Sequence, residues 1–183
     1  MATITTARIT PEDLLDITDR SMPELVDGQL LEREMGQKSD AIAALLIYFL
    51  NQFVRERRLG LVNGGQGSYQ IFPDDPNKVR IPDVSFTRRD RLPGGTPADG
   101  HSRVAPDLVV EVISPNDTIR KLDLKIADFL AAGVPLIWVV YPDTQTVQVI
   151  RRDGSGVRLK VGDAIDGEDV LPGFRCEVAA LFA

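Results

Sequence analysis

Apolar positions along this chain change their period from helical to strand-like and back, and the changes mark out its elements. Between Ser39 and Arg58, the residues Ile42, Leu45, Leu46, Phe49, Leu50, Phe53 and Val54 recur at three-four spacing, which predicts a long amphipathic helix closed by Gly60. A shorter helix is expected upstream, because Thr10-Pro11-Glu12-Asp13 combines a capping threonine, proline at the first helical position and acids in the first turn. Leu14, Leu15 and Ile17 would be its apolar side, and it should end before Met22-Pro23. Glu24 to Leu31 places Asp27-Gly28 between two apolar pairs, a strong signal for a hairpin.

Beyond Gly60 the pattern is that of strands. Leu61 to Phe72 reads as one, interrupted by Gly64-Gly65-Gln66-Gly67, and Val79 to Thr87 as another, with the turn Pro73-Asp74-Asp75-Pro76-Asn77 between them. Residues 88–105 are polar and rich in Gly, Pro and Arg, a loop without a core of its own. Then comes Pro106-Asp107-Leu108-Val109-Val110-Glu111-Val112-Ile113-Ser114-Pro115, an apolar run that predicts a central strand over 107–113 buried on both faces. Asn116 or Asp117 can cap a helix to about Ala132, with Ile119, Leu122, Ile126, Phe129 and Leu130 on its buried stripe and Gly133 ending it. Leu136 to Tyr141 is a further buried strand, and 107–141 forms a strand–helix–strand unit expected to be a right-handed parallel crossover. Polar alternation over 146–152 and 157–161 predicts a last hairpin. The expected fold class is mixed α/β, a sheet flanked by helices with hairpin additions at both ends, in one domain over 1–183.

Glu111 is the anomaly in this pattern. A carboxylate inside a buried strand is costly unless paired or bound to a cation. Asp107 shares its face but lies about 13 Å away at the rise of a strand, so the partner must come from elsewhere. Asp83, in Arg80-Ile81-Pro82-Asp83-Val84, starts a strand expected beside the central one, and Lys125 lies on the helix that folds back over the sheet. Two carboxylates from neighbouring strands suit a hard divalent cation, with water completing its shell. A nearby lysine can orient water or offset charge on a phosphate. Each residue also has a plainer reading: Asp83 as acceptor for a turn amide, Glu111 in a buried ion pair with Arg80, Lys125 as a solvated helix residue with Lys121 one turn earlier as its alternative.

Composition narrows the chemistry. The 183 residues contain one cysteine, Cys176, and one histidine, His101, which excludes an internal disulfide, a cysteine zinc cluster and a histidine-rich metal site. No apolar run approaches a membrane span and no leader pattern is visible, so a cytoplasmic protein is expected. The net charge of −6 counts against non-specific nucleic-acid binding. Arg55, Arg57 and Arg58, and Arg88, Arg89, Arg91 and Arg103, are basic groups that either touch phosphates or form solvated faces. The Gly64–Gly67 segment lacks the lysine and helix of a phosphate loop and reads as a strand bend. His101 is expected on the surface and Cys176 in the core.

Pro82-Asp83-Val84-Ser85-Phe86, the whole 106–115 segment, Lys125, Gly133-Val134 and Trp138, with Glu24-Leu25-Val26-Asp27-Gly28 upstream and Leu171-Pro172-Gly173-Phe174 near the end, resemble the Uma-type putative restriction endonuclease family of the PD-(D/E)XK nuclease superfamily. The resemblance implies a restriction-endonuclease-like core with Asp83 and Glu111 as ligands of Mg²⁺ or Mn²⁺, the Val112 carbonyl completing the protein's share, and Lys125 as the catalytic lysine. The superfamily pattern puts that lysine two residues after the acid, where this chain has Ile113. Family members often carry a histidine before the long helix, where this chain has Ser39, and Glu24 falls on a family position that can approach the metal. The implied activity is Mg²⁺-dependent hydrolysis of phosphodiester bonds in DNA, by a homodimer if both strands of a duplex are cut. The alternative is a nuclease-fold binding or regulatory protein with little or no turnover.

Overall fold

The computed structural model describes residues 9–17, 22–33, 36–97 and 99–182. Helix α1, Pro11–Leu15, begins as its sequence dictates: Thr10 Oγ1 accepts from the Asp13 N–H while the Asp13 carboxylate accepts from the Thr10 N–H, a reciprocal capping box. The expected run of this helix towards Met22 crosses residues 18–21, which lie outside the described residues. Strands β1, Glu24–Val26, and β2, Gln29–Leu31, form an antiparallel pair turned by Asp27 and Gly28. Both turn residues have positive φ, 52° and 74°, the geometry of a two-residue hairpin turn whose twist matches its strands.

Helix α2, Gln37–Arg57, buries Ile42, Leu46, Leu50 and Val54 along one side. It stops at Arg58, which takes the left-handed conformation at φ 54°, and not at Gly60 as the sequence suggests. Gly60 opens strand β3, Gly60–Asn63, and its role is contact. A Cβ there would lie 2.1 Å from the Thr87 carbonyl oxygen of the neighbouring strand. Gly60→Ala is therefore expected to push β3 off the sheet and cost about 2–4 kcal/mol in urea unfolding; an unchanged midpoint would show that the strand can shift freely.

Six strands make the central sheet, in the order β3-β4-β5-β6-β7-β8. The added members are β4, Val84–Arg88, β5, Leu108–Val112, β6, Leu136–Tyr141, β7, Thr146–Arg151, and β8, Gly156–Lys160. Only β5 and β6 are parallel, with Glu111 opposite Val139, and helix α3, Ile119–Ala131, connects them. The predicted last hairpin is therefore an extension of the central sheet, and a separate pair, β9, Ala164–Asp166, with β10, Arg175–Glu177, follows it.

Strand alternation divides the core. Leu108, Val110 and Val112 of β5 face α2, joined by Trp138, Phe174 and Leu181. Val109 points the other way, to Phe129 of α3 with Ile137 and Val139. Glu111, between Val110 and Val112, thus belongs to the α3 side.

Three expectations about elements are corrected. Leu61 to Phe72 is not one strand, since β3 ends at Asn63 and Tyr69 makes only isolated bridges to Arg80 and Ser102. Val79 to Thr87 is likewise divided: Val79 bridges Leu25, and the ladder with β5 starts only at Val84, because Pro82 has no N–H to donate. Thr118, not Asn116 or Asp117, caps α3; the Asp117 carboxylate is instead taken by the Ser114 N–H at 2.7 Å. Cys176 is buried as expected, and burial pushes its thiol up to about 11. His101 is not a free surface residue. Its ring nitrogens meet Ser68 Oγ at 2.8 Å and the Pro11 carbonyl at 2.7 Å, tying α1 to the loop before β5.

Candidate active site

The local cause of the site is the interruption at Pro82. Continuing the β4–β5 register past Val84 opposite Val110 sets Val112 opposite Pro82, so the sheet has no ladder bond to offer there. The Asp83 carboxylate fills the gap, its Oδ2 accepting the Val112 N–H at 2.7 Å. Its other oxygen, Oδ1, accepts from Arg33 at 2.8 Å. Arg33 follows β2, and its guanidinium also donates to the Gly65 carbonyl at 2.7 Å.

Glu111 emerges one residue earlier on β5 and is met from above by Lys125 of α3. The Lys125 ammonium uses all three of its donors: Glu111 Oε2, Glu24 Oε1 and the Ile81 carbonyl oxygen, each at 2.9 Å. Four separate parts of the chain thus converge on one nitrogen. The opposite oxygen of Glu111, Oε1, is buried and has no hydrogen-bond partner. Leaving such an atom unpaired costs on the order of 1–3 kcal/mol; of the three buried atoms so placed among the described residues, with Gln70 Oε1 and Trp138 Nε1, it is the one on a carboxyl group.

Electrostatics differ across this cluster. Burial, reinforced by the negative charges of Asp83 and Glu24, raises Glu111 to about 8 in spite of Lys125. Glu24 is equally enclosed, and burial alone would raise it, but Lys125, Arg80 and the Ile81 N–H together hold it below the usual carboxylate range. Burial disfavours the charged form of Lys125 too, and Glu111 and Glu24 overcome that, keeping the ammonium above its ordinary value. Within the cluster the charged forms of Glu24 and Lys125 are therefore favoured, and that of Glu111 is disfavoured.

Arg80 does not pair with Glu111, the arrangement its sequence position allowed. It binds Glu24 Oε2 at 2.8 Å and the Asp128 carboxylate, and Asp128 also holds Lys78 at 2.7 Å. Sequence reading did not single out Arg33 or Asp128, and gave Glu24 only a secondary place. Asp128 had a detectable signal, since it stands one turn after Lys125 on α3 beside the apolar stripe. Arg33 had none; it is 50 residues from Asp83 in the chain.

Asp83, Glu111, Val112 and Lys125 all line one cavity of about 550 Å³, together with Glu24 and Arg33. Its walls are the β1–β2 hairpin and the first two turns of α3. Lys121 is at this cavity too, exposed. At the end of β5, the Gly36 N–H donates to Ser114 Oγ at 3.3 Å, Ser114 Oγ to Ser39 Oγ at 3.1 Å, and Ser39 Oγ to the Ile113 carbonyl at 3.0 Å. Ser39, at the point where a histidine was looked for, therefore fastens α2 to the central strand. The arginine groups are not part of the cavity wall: Arg57 pairs with Glu56, Arg88 with Asp90 and Arg91 with Asp107, while Arg55, Arg58 and Arg89 line a separate hollow of about 200 Å³.

Comparison with known proteins agrees with this architecture. Residues 11–179 match the family Uma2, described as "Putative restriction endonuclease". Among solved structures, the chain superimposes on a putative nuclease belonging to DUF820 from Anabaena variabilis ATCC 29413 with a TM-score of 0.76 and 22% identity, over 95% of this chain and 97% of that one. No curated protein matches. No described helix is long and apolar enough to cross a membrane.

Proposed function

Because the chain belongs to the Uma2 family of putative restriction endonucleases, we propose that it is a divalent-metal-dependent nuclease that hydrolyses phosphodiester bonds in DNA, with Asp83, Glu111 and Lys125 at its centre. The observation that carries this reading is the open oxygen of Glu111, buried in the wall of the same cavity as Asp83.

The donor set fits a hard cation. Carboxylate and carbonyl oxygens are the ligands Mg²⁺ and Mn²⁺ prefer, and Glu111 has an oxygen without a partner. Among the described residues, no three His, Cys, Asp or Glu side chains are gathered to hold an ion by themselves. The protein's share would be Asp83, Glu111 and the carbonyl of Val112, with water in the remaining positions. The Val112 N–H points at Asp83, and the carbonyl of a strand residue points to the same side as its N–H. When bound, such a cation supplies Lewis-acid stabilisation of the phosphate and a more acidic water.

The chain's own residues have distinct tasks around that centre. Lys125 fixes the Glu111 side chain at 2.9 Å and supplies a positive charge where negative charge grows on the phosphate. Glu24 keeps Lys125 protonated and aimed, through the 2.9 Å contact. The 550 Å³ cavity is large enough for a nucleotide unit of the substrate. A homodimer would place two such sites on the two strands of a duplex.

Supercoiled plasmid and single-stranded DNA, incubated with the protein and Mg²⁺ or Mn²⁺, test the reading. Nicking that stops on addition of EDTA is the expected result. Folded protein that cleaves neither substrate under any of these conditions moves the conclusion to the alternative, a nuclease-fold binding or regulatory protein.

A further inference from the structure

We propose that Arg33 is a substrate-binding residue: a guanidinium that rests on Asp83 and that grips a phosphate oxygen of the nucleic acid once a cation takes over that carboxylate. The inference rests on the reading of Asp83 and Glu111 as cation ligands.

The geometry points to it in three steps. Asp83 accepts the Val112 N–H on one oxygen, Oδ2, and the Arg33 guanidinium on the other, Oδ1. Oδ2 is tied to the backbone and Oδ1 to a side chain that can move, so Oδ1 is the natural ligand atom. A divalent cation on Oδ1 would share it with a guanidinium whose side chain is only 15% exposed, and two positive charges on one poorly solvated oxygen repel. The hold of Asp83 on Arg33 is then weakened, and an anion entering the cavity can draw the guanidinium away.

It need not leave the cavity. Its second nitrogen is anchored on the Gly65 carbonyl at 2.7 Å, in the glycine-rich Gly64–Gly67 segment that fits no phosphate-loop pattern. The guanidinium can pivot about this anchor and present its freed edge to the space beside the cation. A planar, permanently charged fork is suited to two phosphate oxygens. Of the other cavity cations, Lys125 has every donor occupied by Glu111, Glu24 and Ile81 and Arg80 is held by Glu24 and Asp128, so neither can serve the phosphate without giving up a buried partner, while Lys121 is an exposed point charge without the fork.

Calcium titrations by calorimetry, and binding of a fluorescent duplex oligonucleotide in calcium by anisotropy, test this without relying on turnover. Arg33→Ala should bind calcium three- to tenfold more tightly than wild type, because a competitor for Asp83 is gone, yet bind the oligonucleotide at least tenfold more weakly. Arg33→Lys keeps the charge but not the fork; it should stay within threefold of wild type for calcium and still lose several-fold in oligonucleotide affinity. Thermal melts confirm that each variant is folded. Oligonucleotide affinity unchanged in both variants, or absent in calcium-bound wild type, overturns the proposal alone. Wild type that takes up no calcium, or takes it up as well when Glu111 is replaced by alanine, overturns the metal-site reading and the proposal with it.

Discussion

Glu111→Gln is expected to remove cleavage and stabilise the metal-free protein at the same time. The amide keeps the shape of the carboxyl but cannot offer a charged oxygen, so the rate should fall on the order of 10³-fold. Stability should move the opposite way. Glu111 is raised from 4.5 to about 8, first by burial and then by its acidic neighbours. Between those values the native protein holds a proton that the unfolded chain has released, so native stability declines as pH rises through that window. Glutamine titrates nowhere in it. The variant should match wild type near pH 4 and exceed it by about 2–4 kcal/mol at pH 9, measured by urea unfolding in EDTA. A variant less stable than wild type at pH 9 would mean that the attraction to Lys125 outweighs burial. Because the two effects have opposite signs, lost activity could not be blamed on misfolding.

Lys125→Met should be damaging in both respects. It removes the one cation that touches Glu111, Glu24 and the Ile81 carbonyl, leaving two buried carboxyls and a carbonyl to share what remains. Breaking a buried pair by deleting one partner costs about 3–5 kcal/mol. The penalty should be largest near pH 8 and shrink towards pH 5, because both carboxyls can relieve it by taking up protons. Glu24 keeps Arg80 in either case, so the protein should still fold at low temperature, where cleavage is expected to be roughly 10²-fold down. Lys121→Met is the control. Its side chain is exposed and has no ion pair among the described residues, so unfolding should change by less than about 0.5 kcal/mol. Activity lost in Lys121→Met but kept in Lys125→Met would return the catalytic role to Lys121.

The elements of the fold that were legible share one property: each is dictated by neighbours in the chain. The 3.6-residue period of α2, the Asp27-Gly28 turn and the capping box of Thr10 and Asp13 are local bargains, and they stand where the pattern puts them. Misreadings arose where a distant segment decided. Val79 to Thr87 looks like one strand because Val79, Ile81, Val84 and Phe86 are all buried, but Val79 pairs with Leu25 of the hairpin whereas Val84 pairs with β5. Gly60 looked like a helix terminator, and the Thr87 carbonyl, 27 residues on, is its actual reason.

Within the candidate site the same division holds. Glu111 announced itself, since a carboxylate inside Leu-Val-Val-Glu-Val must find compensation somewhere in any fold that buries the run. Asp83 and Lys125 were candidates from their places on the neighbouring strand and the following helix, each with a plainer reading beside it, and resemblance to a family pattern singled them out. The structure brings both to Glu111's cavity, Lys125 into direct contact. Neither Arg33 on Asp83 nor Glu24 under Lys125 could be reached from spacing, because ion pairs across 50 or 101 residues obey no period.

By itself, then, the sequence determined the long helices, the first hairpin and the apolar strands β5 and β6, that β5 would lie at the centre, and that one acid within it would need an answer. Tertiary structure alone decided what the answer is. A lysine ammonium satisfies one oxygen of Glu111, while the other is buried without a partner, in a residue that lines the same cavity as Asp83 and Arg33. Local patterns record backbone geometry and the burial of apolar surface, which each segment carries with it. The charge that compensates a buried carboxylate belongs to whichever segments the fold brings within 3 Å, and nothing in their local sequence needs to record that meeting.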